Sequence, residues 1–202
     1  MSFEAMVENS PLRPLVRERY EVKPLRRATD VGSIPHALHI ECKDGNPTAL
    51  IMKHFDIKKV SAIDRDEGLI AAARAKREFE GISFSVGDVC ALKFEDGSFD
   101  AVFDLAELHN YADWECGVSE IGRVLKPGGL LLLEELSLES FGHAAGRFFK
   151  AMTEHPYDRM FTADDFRKSV AANGLEIQHF EQRNQFGLLK YFTMVARKGG
   201  GT

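Results

Sequence analysis

Apolar and polar positions along the chain change period several times, and the changes divide it into alternating strands and helices. A short apolar strand at Ala37-Leu38-His39-Ile40 gives way to a polar turn, Glu41 to Asn46, and then to a helical segment from Pro47 to Phe55. Lys59-Val60-Ser61-Ala62-Ile63 returns as a second strand that ends at Asp64. Glu67 to Phe79 is alanine-rich with a basic outer face, which predicts a helix. Ile82-Ser83-Phe84-Ser85-Val86 alternates as a half-buried strand does and ends at Gly87-Asp88-Val89. Leu92 to Phe99 carries turn chemistry in Glu95-Asp96-Gly97-Ser98, and Phe99 to Asp104 is a fourth strand. Trp114 to Leu125 reads as a helix stopped by Lys126-Pro127-Gly128-Gly129, since proline and glycine cannot continue it. The largely apolar segment Leu130 to Leu136 suits the middle of a sheet covered on both faces.

The pattern changes in the final third. Ser137 to Thr162 is rich in aromatic residues and histidine (Phe141, His143, Phe148, Phe149, His155, Tyr157, Phe161) and is read as a cap insertion, 137–162. Its aromatics are either the core of that cap or a cage for an apolar or cationic acceptor. Thr162 caps a helix that runs to Asn173-Gly174, with Asp165 in the capping-box position. Leu175 to Gln182 and Leu188 to Ala196 form an antiparallel pair, because their connection is too short for a parallel crossover. The glycine-rich tail, 199–202, is expected to be disordered. Ahead of the core, residues 1–35 form a helical lid or cap, in which Pro14 and Pro24 bracket a helix of two to three turns. This basic segment is either a solvated face with its apolar side on the core, or a lid or patch that meets an anionic substrate or a membrane surface. The architecture expected for 36–198 is α/β: a Rossmann-like, mostly parallel, seven-stranded sheet with an antiparallel C-terminal strand and helices on both faces.

Composition narrows the class. Hydrophobic residues at 44% and charged residues at 28% describe a soluble globular chain, and 202 residues suffice for one proper core. A net charge of -5 gives no general attraction to nucleic acid. No apolar run approaches the length of a membrane span, and the first residues lack the pattern of a signal peptide. Cys42, Cys90 and Cys116 are odd in number and without metal-ligand spacing, so reduced thiols in a cytoplasmic protein are expected.

Ligands bind sheets of this kind at the carboxyl ends of the strands, and the ends here carry the turn Glu41 to Gly45, then Asp64, Asp88 and Asp104. The block Gly87-Asp88-Val89-Cys90-Ala91-Leu92-Lys93-Phe94-Glu95-Asp96-Gly97-Ser98-Phe99-Asp100-Ala101-Val102 is followed, after a helix, by Arg123-Val124-Leu125-Lys126-Pro127-Gly128-Gly129. In these two blocks the chain resembles a class I S-adenosylmethionine-dependent methyltransferase of the small-molecule type. The resemblance implies S-adenosylmethionine as cofactor and S-adenosylhomocysteine as product. It implies that Asp64 holds the ribose hydroxyls with Arg65 beside the adenine. Asp88 would accept from the adenine amino group and Val89 would offer a backbone N–H, while Asp104 and Leu105 would line the methionine and methyl end. Gly45 matches the last glycine of the cofactor loop. The rest of that loop departs from the family: His39 stands at the acid, Glu41 at the first glycine and Lys43 at the second. Either Glu41 replaces the missing carboxylate and Lys43 pairs with the methionine carboxylate, or the two side chains fill the pocket.

After the fourth strand come Glu107, His109, Asn110, Tyr111, Asp113 and Trp114. His109 is the candidate general base, weighed against a purely local hydrogen-bonding role. The reading is methyl transfer to a small-molecule or lipid-like acceptor, and the basic N-terminal helix leaves peripheral membrane contact open as one of its two alternatives. The alternative is a catalytically inactive relative that serves as a binding or regulatory protein. A nicotinamide-dependent oxidoreductase is disfavoured, because Gly-x-Gly-x-x-Gly is missing and Asp88 with its following loop goes unexplained.

Overall fold

Seven strands pair into one sheet in the order β3-β2-β1-β4-β5-β7-β6, in a computed structural model that describes residues 10, 12–142, 159–185 and 189–200. The strands are β1 (Ile34–His39), β2 (Ile57–Asp64), β3 (Ile82–Val86), β4 (Phe99–Leu105), β5 (Leu125–Leu136), β6 (Leu175–Gln185) and β7 (Leu189–Lys198). β1 pairs in parallel with β2 and β4, β2 with β3, and β4 with β5, whereas β7 runs antiparallel to both β5 and β6. The fold is therefore the expected Rossmann-like α/β sheet with a single reversed strand. Strand order reverses at β1, so the crevice at its carboxyl end, between β2 and β4, is where this topology places ligands.

Helices α3 (Asn46–His54), α4 (Glu67–Ala75), α5 (Trp114–Val124) and α6 (Ala163–Ala172) cover the sheet. Successive residues of the central strands point to opposite faces, and the clusters follow that alternation. Leu38, Val102, Leu131 and Leu133 pack with Val118 and Ile121 of α5 and Phe166 and Val170 of α6. Ala37, Ala101, Phe103, Leu130 and Leu132 pack on the other side with Ile51 and Phe55. Within the first cluster Trp114, Phe161, Phe166 and Phe192 form an aromatic group with centroids 4.6–5.5 Å apart in four of its pairs. Each such ring taken from water contributes about 2–3 kcal/mol.

The N-terminal segment differs from its sequence reading. It runs as α1 (Arg13–Arg17), a π turn (Glu18–Val22) and α2 (Lys23–Arg27), so Pro24 does not end it. The Lys23 N–H donates to the Glu18 carbonyl, a five-residue step. That wider turn restarts the hydrogen-bond pattern, and Pro24 falls in the first turn of α2, where a missing N–H costs nothing. Val22 and Leu25 join Ile34, Phe103 and Leu132 against the sheet.

Three further expectations are adjusted. The helix from Glu67 stops at Ala75, Lys76 is extended, and Arg77–Phe79 is a short 3-10 turn that sets Phe79 against Phe84. β5 begins at Leu125 rather than Leu130, because Leu125 pairs with Phe99 and Leu130 with Ala101 while Lys126 to Gly129 bulge between them. Finally, Cys90 and Cys116 are joined in a disulfide, with only Cys42 a free and buried thiol. The expectation of three reduced thiols is thereby corrected. The turn after β3 and the first turn of α5 bring two residues 26 apart to a Cα separation of 5.0 Å, a proximity that spacing rules do not register.

Most of the cap insertion, with His143, Phe148, Phe149, His155 and Tyr157, lies outside the described residues. Its two ends are tied together, the Leu138 N–H donating to the Phe161 carbonyl at 3.0 Å. Among the described residues, no helix is long and apolar enough to cross a membrane.

Candidate functional site

The turn after β1 is built on three left-handed residues, Glu41 (φ 50), Lys43 (φ 53) and Gly45 (φ 86). Only glycine adopts this conformation without strain, and a residue with a Cβ pays about 1–2 kcal/mol. Such strain persists only where neighbours impose it. Here the Cys42 N–H donates to the Ile63 carbonyl at 2.8 Å, and the Lys43 N–H donates to Asp64 Oδ2 at 2.8 Å. Glycine is required at position 45 for a second reason, since a Cβ there would stand 2.8 Å from Phe79 and 2.9 Å from Phe84. His39 holds β1 to α3 through a 2.8 Å contact between Nδ1 and Thr48 Oγ1. Burial, with the Arg17 charge adding to it, pushes the His39 pKa down to about 3, so this position carries a neutral ring.

At the end of β2, Asp64 is buried and works on the backbone: Oδ2 takes Lys43 and Oδ1 takes the Asp66 N–H at 2.9 Å. Asp88 is exposed at the end of β3 and accepts the Cys90 N–H at 2.8 Å. Val89 next to it turns its side chain wholly into the core.

Two side-chain bridges cross from the β1 turn to the segment after β4. In the first, the Tyr111 hydroxyl donates to Glu41 Oε1, and Arg65 stands with its guanidinium 3.8 Å over the Tyr111 ring and Nε 3.7 Å from Glu41 Oε2. Burial pushes the Glu41 carboxyl up to about 7, against the lowering effect of the Tyr111 hydrogen bond. In the second, Lys43 Nζ lies 2.9 Å from Glu107 Oε2, and Glu107 in turn faces Arg17 at 3.7 Å. Arg17 is buried and pairs with Glu21 at 3.0 Å.

Below these bridges lies a group of buried acids. Asp104 is fully buried and accepts the Glu107 N–H at 3.2 Å, and the charge of nearby Glu135 adds to burial in raising its pKa. Glu135 Oε1 accepts the Leu108 N–H at 2.6 Å, and Oε2 lies 2.8 Å from His109 Nδ1. His109 is thus fixed by a carboxylate from the neighbouring strand. Leu105 points the other way, into the cluster shared with Val22 and Leu25. The strand ends therefore bring together Glu41, Asp64, Arg65, Asp88 and His109, while the side chains of Val89, Asp104 and Leu105 are directed into the interior. Sequence reasoning passed over Glu135 and Arg17. The first is one of two glutamates interrupting the apolar run of β5, and the second stands four residues from Glu21 on a helix, so each left a signal.

The acid pair makes stability depend on pH. Burial raises the pKa of both Asp104 and Glu135, so that the folded pair keeps a proton that the unfolded chain releases near the ordinary glutamate value of 4.5. This contribution is complete below that value and is lost as pH rises through about 8. Urea unfolding at pH 5.5 and 8.5 should therefore show the protein weakening on the alkaline side. Glu135→Gln should shrink that difference, and an unchanged difference in the variant would refute the shared proton.

Residues 38–133 match the family described as "Methyltransferase domain". A demethylmenaquinone methyltransferase of Thermus thermophilus is 33% identical over 115 residues, covering 54% of this chain and 52% of that one. The phthiotriol/phenolphthiotriol dimycocerosates methyltransferase 1 of Mycobacterium ulcerans is 30% identical over 112 residues, covering 55% of this chain and 41% of the relative. The chain thus spans about half the length of the curated relatives it matches. Among solved structures, Haemonchus contortus phosphoethanolamine N-methyltransferase 2 in complex with S-adenosyl-L-methionine superposes with a TM-score of 0.71 at 17% identity. That superposition covers 98% of this chain and 60% of the other, a likeness of fold.

Proposed function

Since the chain belongs to the class I S-adenosylmethionine-dependent methyltransferases, we propose that it binds S-adenosylmethionine and methylates a small-molecule or lipid-like acceptor. The observation that carries this reading is the β1 turn, which keeps left-handed backbone at Glu41 and Lys43 although neither is glycine. A cradle whose dihedrals survive the loss of its glycines, held by Asp64, retains the shape that admits a cofactor close to the main chain. Relatives named for demethylmenaquinone and for phthiotriol and phenolphthiotriol dimycocerosates support an acceptor of lipid character.

In this reading Asp64 and Arg65 hold the ribose and adenine end, and Asp88 with the Val89 backbone meets the adenine edge. Glu41 supplies the negative charge that neutral His39 does not, and Lys43 exchanges Glu107 for the ligand's carboxylate. Asp104 supports the segment after β4 from below, with Leu105 at the strand end. The cofactor, when bound, supplies an electrophilic methyl group on a sulfonium. With it held there, an acceptor's lone pair would take that methyl group as the carbon–sulfur bond breaks, the sulfur leaving as a thioether. Alignment of the two reactants supplies much of the rate. Where the acceptor must also lose a proton, His109 takes it, its ring held by Glu135.

Isothermal calorimetry with S-adenosylmethionine and S-adenosylhomocysteine tests the reading, and the absence of heat with both would end it. His109→Asn should slow transfer about 100-fold or more to a hydroquinone, whose hydroxyl must lose its proton. It should leave S-adenosylhomocysteine affinity within about twofold, since no cofactor contact is assigned to this ring. Glu135→Gln should move the pH profile of transfer, which a purely packing role would not do.

A second reading rests on the two bridges. Glu41 to Tyr111 and Lys43 to Glu107 span the crevice with the chain's own side chains, as in a relative that has given up catalysis for binding or regulation.

A further inference from the structure

We propose that the outer face of the N-terminal helices and α3, centred on Leu12, Leu15 and Met52, docks the protein onto an anionic lipid surface. Among the described residues, four large apolar side chains are exposed: Leu12 (61%), Leu15 (63%), Met52 (39%) and Val86 (42%). Three of the four belong to two neighbouring helices. Those helices are clasped together by Glu18, whose carboxylate takes Lys53 Nζ at 3.2 Å and His54 Nε2 at 2.9 Å. Leu12 and Leu15 are three residues apart, one turn, and so share a helix face. Arg17 lies on the opposite face, turned inward to Glu107 and Glu21. Val22 and Leu25 already supply the apolar contact with the sheet, so the outward leucines have no part in holding the helix down.

The charge around the patch identifies what covers it. The chain as a whole carries -5, yet residues 12–27 hold six basic and two acidic residues. Arg19, Arg26 and Arg27 are exposed there, and Arg26 leans over the Phe55 ring at the end of α3, 5.8 Å from its centroid. Exposed leucines and methionine rimmed by arginine match the two requirements of an interfacial helix, an apolar wedge and cations at headgroup level. A neutral apolar partner would leave these cations without counter-charge, and the acidic remainder of the chain would be repelled everywhere else by an anionic surface. The same helical layer reaches the crevice from its inner face, through Arg17 and Glu107.

This inference rests on the lipid-like acceptor proposed above, and its test is independent of cofactor binding. The full chain is floated with phosphatidylcholine vesicles, with and without phosphatidylglycerol, in the absence of cofactor. It should rise with the anionic vesicles and release as salt is added. The triple change Leu12→Ser, Leu15→Ser, Met52→Ser should reduce vesicle binding at least tenfold with its thermal unfolding unchanged, because all three side chains are exposed. Arg19→Gln, Arg26→Gln and Arg27→Gln together should abolish the preference for phosphatidylglycerol. The proposal is overturned if the wild type stays in the aqueous fraction, or if the serine variant floats as well as the wild type. It is equally overturned if ultracentrifugation finds a dimer that the serine changes dissolve, which would make the patch a contact between two copies. Calorimetry with S-adenosylhomocysteine on the same preparation reports separately on the methyltransferase reading.

Discussion

Asp64→Ala should lower unfolding stability by about 2–4 kcal/mol and weaken S-adenosylhomocysteine binding at least a hundredfold, measured by urea titration and calorimetry. The first number follows from two backbone N–H groups, those of Lys43 and Asp66, which lose a charged acceptor. Hydrogen bonds to a charged group contribute about 1.5–3 kcal/mol each, and a buried donor left unpaired costs more than its bond was worth. The second number follows from position. The carboxylate at the end of β2 holds the turn in its left-handed path, so its removal takes away both a ligand contact and the shape of the cradle. Asp64→Asn separates the two effects: one oxygen still accepts while an amide replaces the other, so stability should fall by about half as much. A variant as stable as the wild type would show that the turn is held by something else.

The double change Glu41→Gly, Lys43→Gly should weaken cofactor binding by tenfold or more while leaving stability within about 1 kcal/mol. Stability is balanced because glycine relieves two left-handed strains of about 1 kcal/mol each. Against this it frees the unfolded chain by about 0.5–1 kcal/mol per residue and gives up the Glu41 to Tyr111 hydrogen bond. Affinity is the sharper readout. With His39 held neutral, Glu41 is the carboxylate of the turn nearest the position where the family keeps its acid, and Lys43 is the turn's cation. If instead affinity rises, the two side chains were obstructions, and the binding or regulatory reading replaces the catalytic one. The direction of change decides between them.

The sheet was legible because its signals are local. Alternation at Ile82 to Val86 and the apolar run ending in Leu136 mark strands wherever they occur, and short connections fix their direction. What escaped was set by contacts between distant segments. Pro24 reads as a helix break, since a π turn depends on how the segment sits on the sheet and leaves no mark in a propensity scale. Cys90 and Cys116 look unrelated until a turn and a helix meet. At the crevice, the positions of Asp64 and Asp88 at strand ends and of His109 just beyond one were legible from the pattern. Asp104 and Leu105 illustrate the limit of that method, because adjacent residues of a strand point to opposite faces and position alone does not say which one meets the crevice. Glu135 was hidden inside a run that reads as core, where a charge makes sense only once the loop it supports, Leu108 and His109, is seen above it.

The π turn at Glu18–Val22 has a bearing beyond accommodating Pro24. One residue added to a helical turn advances everything before it by about 100° around the axis. A regular helix from Arg13 to Arg27, anchored on the sheet by Val22 and Leu25, would present Arg17 elsewhere and carry Leu12 and Leu15 away from their present bearing. The phase of α1, and with it the choice between a cation inside the molecule and leucines outside, is thus set by a single residue of backbone.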